Sequence, residues 1–125
     1  HDAGDAVLKQ MSALLTESFS QFLVARFGGE EFVILLPGIS RSQGGSLLEL
    51  FRNKVTDTAF HSDGQGIAVT SSIGMAVLDG HDLPATIRRA DEALYEAKGQ
   101  GRNRVVAAMD EGFELVSVNP TPIEP

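Results

Sequence analysis

The sequence contains no cysteine, and its longest uninterrupted apolar runs, residues 32–36 and 105–109, have the length of single strands. Without cysteine there can be no disulfide, no zinc–thiolate site and no cysteine nucleophile. A membrane-spanning helix needs roughly 20 apolar residues in succession, so neither run can cross a bilayer. We therefore expect a soluble segment without direct membrane contact.

Basic residues are scarce: 10 Lys and Arg stand against 17 Asp and Glu, for a formal net charge of -7. This balance opposes the long-range attraction that non-specific nucleic-acid binding requires, so we expect no nucleic-acid partner. A small phosphorylated ligand is compatible with it, because a few cations and backbone N–H groups suffice to bind a phosphate. The length of 125 residues, with 42% hydrophobic residues, fits one globular domain.

Helical periodicity predicts three helices. The first is expected from about Gly4 to Ser18, with apolar residues at helical spacing. The second follows Ser40 and Gln43, which have the spacing of a capping box. The third begins after an N-cap at Asp82 and ends near Gly99.

Strand signals occupy four segments: 22–27, 30–36, 67–77 and 105–109. Gly28-Gly29 between the first two predicts a hairpin, because primed turns require the positive φ that glycine adopts without steric cost. Residues 61–66 have the composition of a surface loop. Gly74 inside the long third strand indicates a close backbone approach or a bulge.

This element order becomes the β-α-β-β-α-β pattern of a ferredoxin-like sheet if one strand precedes the first helix. The predicted fold class is therefore α+β, with helices packed on a ferredoxin-like sheet. We expect the first strand to belong to a longer chain of which this sequence is a piece. Residues 1–110 would form the domain, and the Pro-rich segment 111–125 a C-terminal tail or linker.

Two glycine-containing segments could bind phosphate. At Gly28-Gly29 no side chain would keep a phosphate from the backbone, and of the adjacent Glu30 and Glu31 at most one would face a phosphate and its metal. The segment 98–104 combines a lysine at a helix end with arginines after a glycine loop, which suits a polyphosphate. An ordinary hairpin with solvated acids, and a lysine at the negative end of a helix dipole, are the alternatives.

Taken together, these segments resemble the GGDEF family, the diguanylate cyclases. The similarity follows the family order from His1 to Val106, which is nearly the whole chain. The joint occurrence of its motifs is far more specific than any one of them. The matching residues are His1, Gly4-Asp5, Leu8, 26–32, Ser72-Ile73-Gly74, 90–98 and Gly101-Arg102-Asn103.

The resemblance implies a palm-type sheet with the active half-site at the Gly28-Gly29 hairpin. Gly28 and Gly29 would lie against the phosphates of GTP. Glu30 would bind Mg²⁺ (or Mn²⁺) and act as the catalytic carboxylate, and Glu31 would support the site through polar contacts near the nucleotide.

Four further residues match binding positions of the family. Asp5 matches an aspartate that hydrogen-bonds the guanine, and His1 matches the histidine that precedes it. Lys98 and Arg102 match the cations that hold the β- and γ-phosphates, where they would contribute to substrate binding and to catalysis.

The reaction implied by the resemblance joins two GTP molecules into cyclic di-GMP and releases two pyrophosphates. One domain would bind one GTP, so catalysis would require a homodimer with twofold symmetry. The segment would belong to a larger cytoplasmic or membrane-tethered signalling protein with other domains. The alternatives are a catalytically inactive GTP-binding regulatory module and another palm-type nucleotidyltransferase or cyclase, which a test with ATP in place of GTP would separate.

The sequence departs from the family pattern in two places. The metal-binding aspartate of the family's first strand, a Phe-Lys pair and a guanine-reading asparagine would all precede His1. The R-x-x-D motif of the family's inhibitory product site corresponds to Phe19-Ser20-Gln21-Phe22, without arginine or aspartate. We therefore expect no feedback inhibition through that site.

Overall fold

The structure is a computed structural model that describes residues 3–78 and 80–117. This part of the chain has a mixed α+β fold, as predicted, and divides into two compact units. The first unit contains the described residues up to 39 together with 54–69, and the second contains 40–53 together with the described residues from 70 onward. The elements in chain order are α1 (Ala3–Ser18), β1 (Leu23–Arg26), β2 (Phe32–Leu35), α2 (Arg41–Asp57), β3 (Phe60–Ser62), β4 (Gln65–Ile67), β5 (Ile73–Met75), α3 (Leu83–Gly99), β6 (Val105–Ala108) and β7 (Phe113–Val116).

The first unit contains α1 and two hairpins. Strands β1 and β2 pair antiparallel, from Leu23 opposite Leu35 to Arg26 opposite Phe32, which confirms the predicted Gly-Gly hairpin. Helix α1 packs against β3, and a reciprocal pair of hydrogen bonds joins the two elements. The side-chain amide of Gln10 donates to the carbonyl oxygen of His61 at 2.6 Å, and the His61 N–H donates back to Gln10 Oε1 at 3.0 Å.

The second unit is built on a three-stranded sheet in the order β5-β6-β7. Strand β6 pairs parallel with β5 and antiparallel with β7, and all four of its residues are buried. Helix α3 connects β5 to β6 and packs on both strands. The core between helix and sheet consists of small residues: Ala93, Ala97, Val106, Ala108 and Ala76.

The helix boundaries follow the signals in the sequence. Ser40 Oγ accepts a hydrogen bond from the Gln43 N–H at 3.1 Å, and Gln43 Oε1 accepts one from the Ser40 N–H at 3.2 Å, which confirms the capping box of α2. At α3 the Asp82 carboxylate accepts a hydrogen bond from the Ala85 N–H at 2.7 Å, as expected of an N-cap.

The prediction of one long strand over 67–77 is wrong. Its ends belong to different sheets, because β4 pairs with β3 while β5 pairs with β6. Residues 61–66, predicted as a loop, lie largely in the β3–β4 hairpin. Its turn residues Asp63 and Gly64 have φ of 52° and 78°, the conformation that tight hairpin turns require. The predicted series runs from Val69 through the polar Ser71 to Ile73 at the same two-residue spacing, so the spacing alone did not reveal the break.

Strand β7 was not predicted, since its residues were included in the expected tail. The turn before it contains Gly112 with φ of 78°, and the Met109 N–H donates to the Gly112 carbonyl oxygen at 2.9 Å. Three of the four residues of β7 are apolar, but three of the four are exposed, so the strand contributes little to the buried core. The Pro-rich residues of that expected tail, from 119 onward, lie outside the described part of the chain.

None of the helices in the described residues combines the length and the apolar character needed to span a bilayer.

Gly74 confirms the predicted close approach. A Cβ placed there would lie 2.1 Å from the carbonyl oxygen of Ala90 and 2.3 Å from the nitrogen of Leu94, both in the backbone of α3. Backbone atoms of a packed helix cannot yield as a flexible side chain can, so this position admits no side chain without displacing α3.

We predict that Gly74→Ala lowers the free energy of unfolding by about 1 to 3 kcal/mol, the usual cost of overpacking a core. Gly66→Ala in β4 is the matched control, because a Cβ there meets no atom within 4 Å and its φ is not positive. The control should change the free energy by less than about 0.5 kcal/mol. Urea denaturation followed by circular dichroism measures both. Equal stability of the two variants would contradict the close packing.

Candidate functional site

The tip of the β1–β2 hairpin is a tight turn that depends on its two glycines. The Phe27 N–H donates to the Glu31 carbonyl oxygen at 2.7 Å, and the Glu31 N–H donates to that of Gly28 at 3.1 Å. Gly28 and Gly29 have φ of 69° and 53°, in the left-handed region that side chains disfavour. The Gly-Gly pair is therefore the local reason for a turn at this point.

The hairpin tip is open to solvent. A Cβ at Gly28 or Gly29 would meet no atom within 4 Å, so a ligand can approach the backbone there. Glu30 is exposed, whereas Glu31 is half-buried. Of the two carboxylates, that of Glu30 is the more accessible to solvent.

Arg26, to which the sequence pattern assigns no role, contacts the tip. Its guanidinium donates two hydrogen bonds to the Gly29 carbonyl oxygen, from Nε at 3.0 Å and from Nη2 at 2.6 Å. Together these two bonds hold the Gly29 carbonyl of the turn against the Arg26 side chain at the end of β1. The signal that could have identified Arg26 is its position three residues before Gly29, at the end of a strand.

The second candidate segment wraps around the C-terminal end of α3. Lys98 lies half-buried in the last turn of the helix, and Arg102 is exposed in the loop that follows. The Gly101 N–H donates to the Lys98 carbonyl oxygen at 3.3 Å, and the Arg102 N–H donates to that of Ala97 at 2.9 Å. These two N–H groups are occupied by helix carbonyls, so neither is available to an anion, and the groups of this loop that could bind one are its cationic side chains.

The other two predicted binding residues lie at the start of the chain. Asp5 is exposed in the first turn of α1, where a carboxylate interacts favourably with the helix dipole. His1 lies outside the described residues. Asp5 and the hairpin residues 28–31 therefore belong to the first unit, and Lys98 and Arg102 to the second.

The residues at the hairpin are compatible with Mg²⁺ bound mainly by a substrate. In the described part of the chain, no group of three or more His, Asp or Glu side chains is arranged to hold a metal ion. Mg²⁺ usually takes only one or two protein carboxylates and completes its octahedron with phosphate oxygens and water. The exposed carboxylate of Glu30, beside a turn that a phosphate can approach, fits this kind of coordination.

Comparison with known proteins identifies the family of the chain. Residues 1–104 match the family model for the diguanylate cyclase GGDEF domain. Diguanylate cyclase DgcP of Pseudomonas aeruginosa is 43% identical in an alignment of 110 residues that covers 86% of this chain and 16% of that protein. The chain thus spans about a sixth of the length of this curated relative.

Solved structures are similar over most of the chain. The GGDEF domain of DgcB from Caulobacter crescentus, in complex with c-di-GMP, superposes with a TM-score of 0.79 at 33% sequence identity. The superposition covers 86% of this chain and 66% of the DgcB chain. The active GGEEF domain of a diguanylate cyclase from Vibrio cholerae superposes with a TM-score of 0.71 at 30% sequence identity, over 89% of this chain and 72% of that chain. Residues 28–32 of this chain have the same sequence, Gly-Gly-Glu-Glu-Phe, as the motif after which that domain is named.

Proposed function

The chain belongs to the GGDEF family of diguanylate cyclases, and we propose that it forms the catalytic domain that condenses two GTP molecules into cyclic di-GMP. The observation that carries the proposal is the hairpin tip. Its two glycines leave open space at the turn, and an accessible carboxylate follows them directly. Decay of the catalytic function would not be expected to preserve this combination.

In the proposed site the hairpin binds the phosphates of GTP. Gly28 and Gly29 allow the phosphates to approach the backbone, and Glu30 helps to hold Mg²⁺ (or Mn²⁺) beside them. The metal, when bound, lowers the negative charge on the reacting phosphate during attack by the ribose hydroxyl of the second nucleotide. Glu31, half-buried beside the tip, supports the site through polar contacts near the nucleotide.

The remaining residues orient the nucleotide. Lys98 supplies a point charge and Arg102 a guanidinium fork for the β- and γ-phosphates, a combination that binds polyphosphates well. Asp5, with His1 before it, accepts hydrogen bonds from the guanine base, which donates through its N–H groups. A site with these contacts prefers GTP over ATP.

The product contains two nucleotides, whereas each domain binds one GTP. Two copies must therefore face each other across a twofold axis, with the ribose hydroxyl of each nucleotide attacking the α-phosphate of the other. The catalytic species in this proposal is a homodimer, within a larger signalling protein that brings the two copies together.

We predict that Glu30→Gln reduces cyclic di-GMP formation at least about a hundredfold, because the metal loses an anionic ligand that helps to stabilise the transition state. Glu30 is exposed, so the unfolding midpoint should not change. Chromatographic measurement of cyclic di-GMP formed from GTP tests this, with Glu111→Gln at another exposed glutamate as control. Wild-type turnover in Glu30→Gln would refute the metal role. In the larger signalling protein, GTP binding without any product in the wild type would indicate an inactive regulatory module.

Arg102→Ala should weaken GTP binding roughly tenfold, since it removes charge-assisted hydrogen bonds to the phosphates. Its stability should stay near that of the wild type, because Arg102 is exposed. Titration with a fluorescent GTP analogue in the presence of Mg²⁺ gives the dissociation constant. Arg88→Ala, an exposed arginine on α3, serves as the control for a general loss of positive charge. Equal affinity of both variants would contradict the phosphate role of Arg102.

We also predict that cyclic di-GMP does not inhibit the enzyme through the segment 19–22. Phe19 is 3% exposed, and its ring contacts that of Phe22 edge to face, with the centroids 6.4 Å apart. The adjoining cavity of about 180 Å³ offers no charged side chain to a phosphate; it is lined by Thr16, Phe19, Ser20, Phe22, Leu23 and Val24. Calorimetry should detect no tight product binding. Tight binding that disappears in Phe22→Ala would show the prediction to be wrong.

A further inference from the structure

The loop that carries Arg102 is contacted by a side chain 51 residues earlier in the chain. Arg52, in α2, donates a hydrogen bond from Nη1 to Asn103 Oδ1 at 2.7 Å. Asn103 directly follows Arg102. Arg52 and Asn103 both belong to the second unit, so this contact lies within one compact part of the molecule.

Arg52 is oriented for this contact by a neighbour on the same helix. Its Nε and Nη2 donate to the two carboxylate oxygens of Glu49 at 2.6 Å and 3.1 Å, a two-point pairing that sets the plane of the guanidinium. Both side chains are largely shielded, with 15% and 14% of their surfaces exposed. The hydrogen bond to Glu49 also raises the pKa of Arg52, so the guanidinium keeps its charge.

The loop itself has a backbone conformation that needs external support. Arg102 and Asn103 have φ of 63° and 50°, which lie in the left-handed region. Asparagine tolerates this region well, whereas arginine does not. The Asn103 N–H donates to Ser72 Oγ at 3.2 Å, just before β5. Asn103 is therefore held twice, through its backbone by Ser72 and through its side chain by Arg52.

We propose that Arg52 is a positioning residue for nucleotide binding: it fixes Asn103 and thereby holds Arg102 where its guanidinium meets the phosphates. This inference rests on the proposed phosphate role of Arg102. Arg52 acts through the loop, and Glu49 orients Arg52. The two bonds to Glu49 orient the guanidinium, whereas the bond from Nη1 to Asn103 reaches the loop. The bond to Asn103 is therefore the one that serves the site.

Asn103→Gly tests the contact with little disturbance, because glycine adopts a φ near 50° freely and only the side chain is lost. We expect the dissociation constant of a fluorescent GTP analogue with Mg²⁺ to rise about tenfold, as for loss of one hydrogen bond to a charged group. Arg52→Gln should raise it to a similar extent. The double variant should have a dissociation constant no higher than that of the single variant with the lower affinity, because both changes remove the same contact.

The matched control is Asn53→Ala. Arg52 Nη2 also donates to Asn53 Oδ1 at 3.1 Å, so this change removes a bond of the same guanidinium that does not reach the loop. Its dissociation constant should equal that of the wild type. A tenfold loss in Asn53→Ala as well would overturn the assignment to the Asn103 contact.

The decisive comparison uses Arg102→Ala as background. If the contact acts through Arg102, adding Asn103→Gly to Arg102→Ala should change the affinity for the GTP analogue less than twofold. A further tenfold loss of affinity would reveal a merely structural effect and overturn the proposal. Wild-type affinity in Asn103→Gly and Arg52→Gln, with Arg102→Ala weakened, would refute this inference alone. Wild-type affinity in Arg102→Ala would refute the phosphate role itself and this inference with it. Unfolding midpoints of all variants verify that each is folded.

Discussion

The close packing of α3 on β5 is the constraint on which the second unit depends. The helix backbone passes so near to Gly74 that no Cβ fits between them, and alanines fill the face of α3 that covers the sheet. Small residues at such a contact set the distance between helix and sheet with little freedom to adjust. The end of α3, and with it Lys98 and the loop of Arg102, is therefore placed by the packing of the helix on the sheet.

The two candidate binding segments obtain their shape in different ways. At the hairpin tip, glycine supplies the left-handed backbone directly, and Arg26 secures the carbonyl of Gly29. In the loop after α3, the left-handed residues include an arginine, whose conformation is unfavourable by itself. That loop is held by helix carbonyls, by Ser72 and by Arg52. The first segment is thus specified locally, and the second depends on the rest of its unit.

Much of the fold could be predicted because its signals are local. Periodicity located the three helices, side-chain caps located the starts of α2 and α3, and Gly-Gly located the first hairpin. The errors concern strands of three or four residues. The alternation over 67–77 is the same whether one strand continues or two strands join different sheets, and β7 is a four-residue strand next to a Pro-rich segment.

The sequence by itself determined the family, the fold class and the identity of the candidate binding residues, because these depend on residue types at fixed spacings. Only the tertiary structure decided which groups hold those residues in place. Arg26 could be suspected from its distance of three positions to Gly29, but Arg52 and Asn103 are 51 positions apart. A contact of that range arises when packed elements bring the two side chains together, and no local pattern records it.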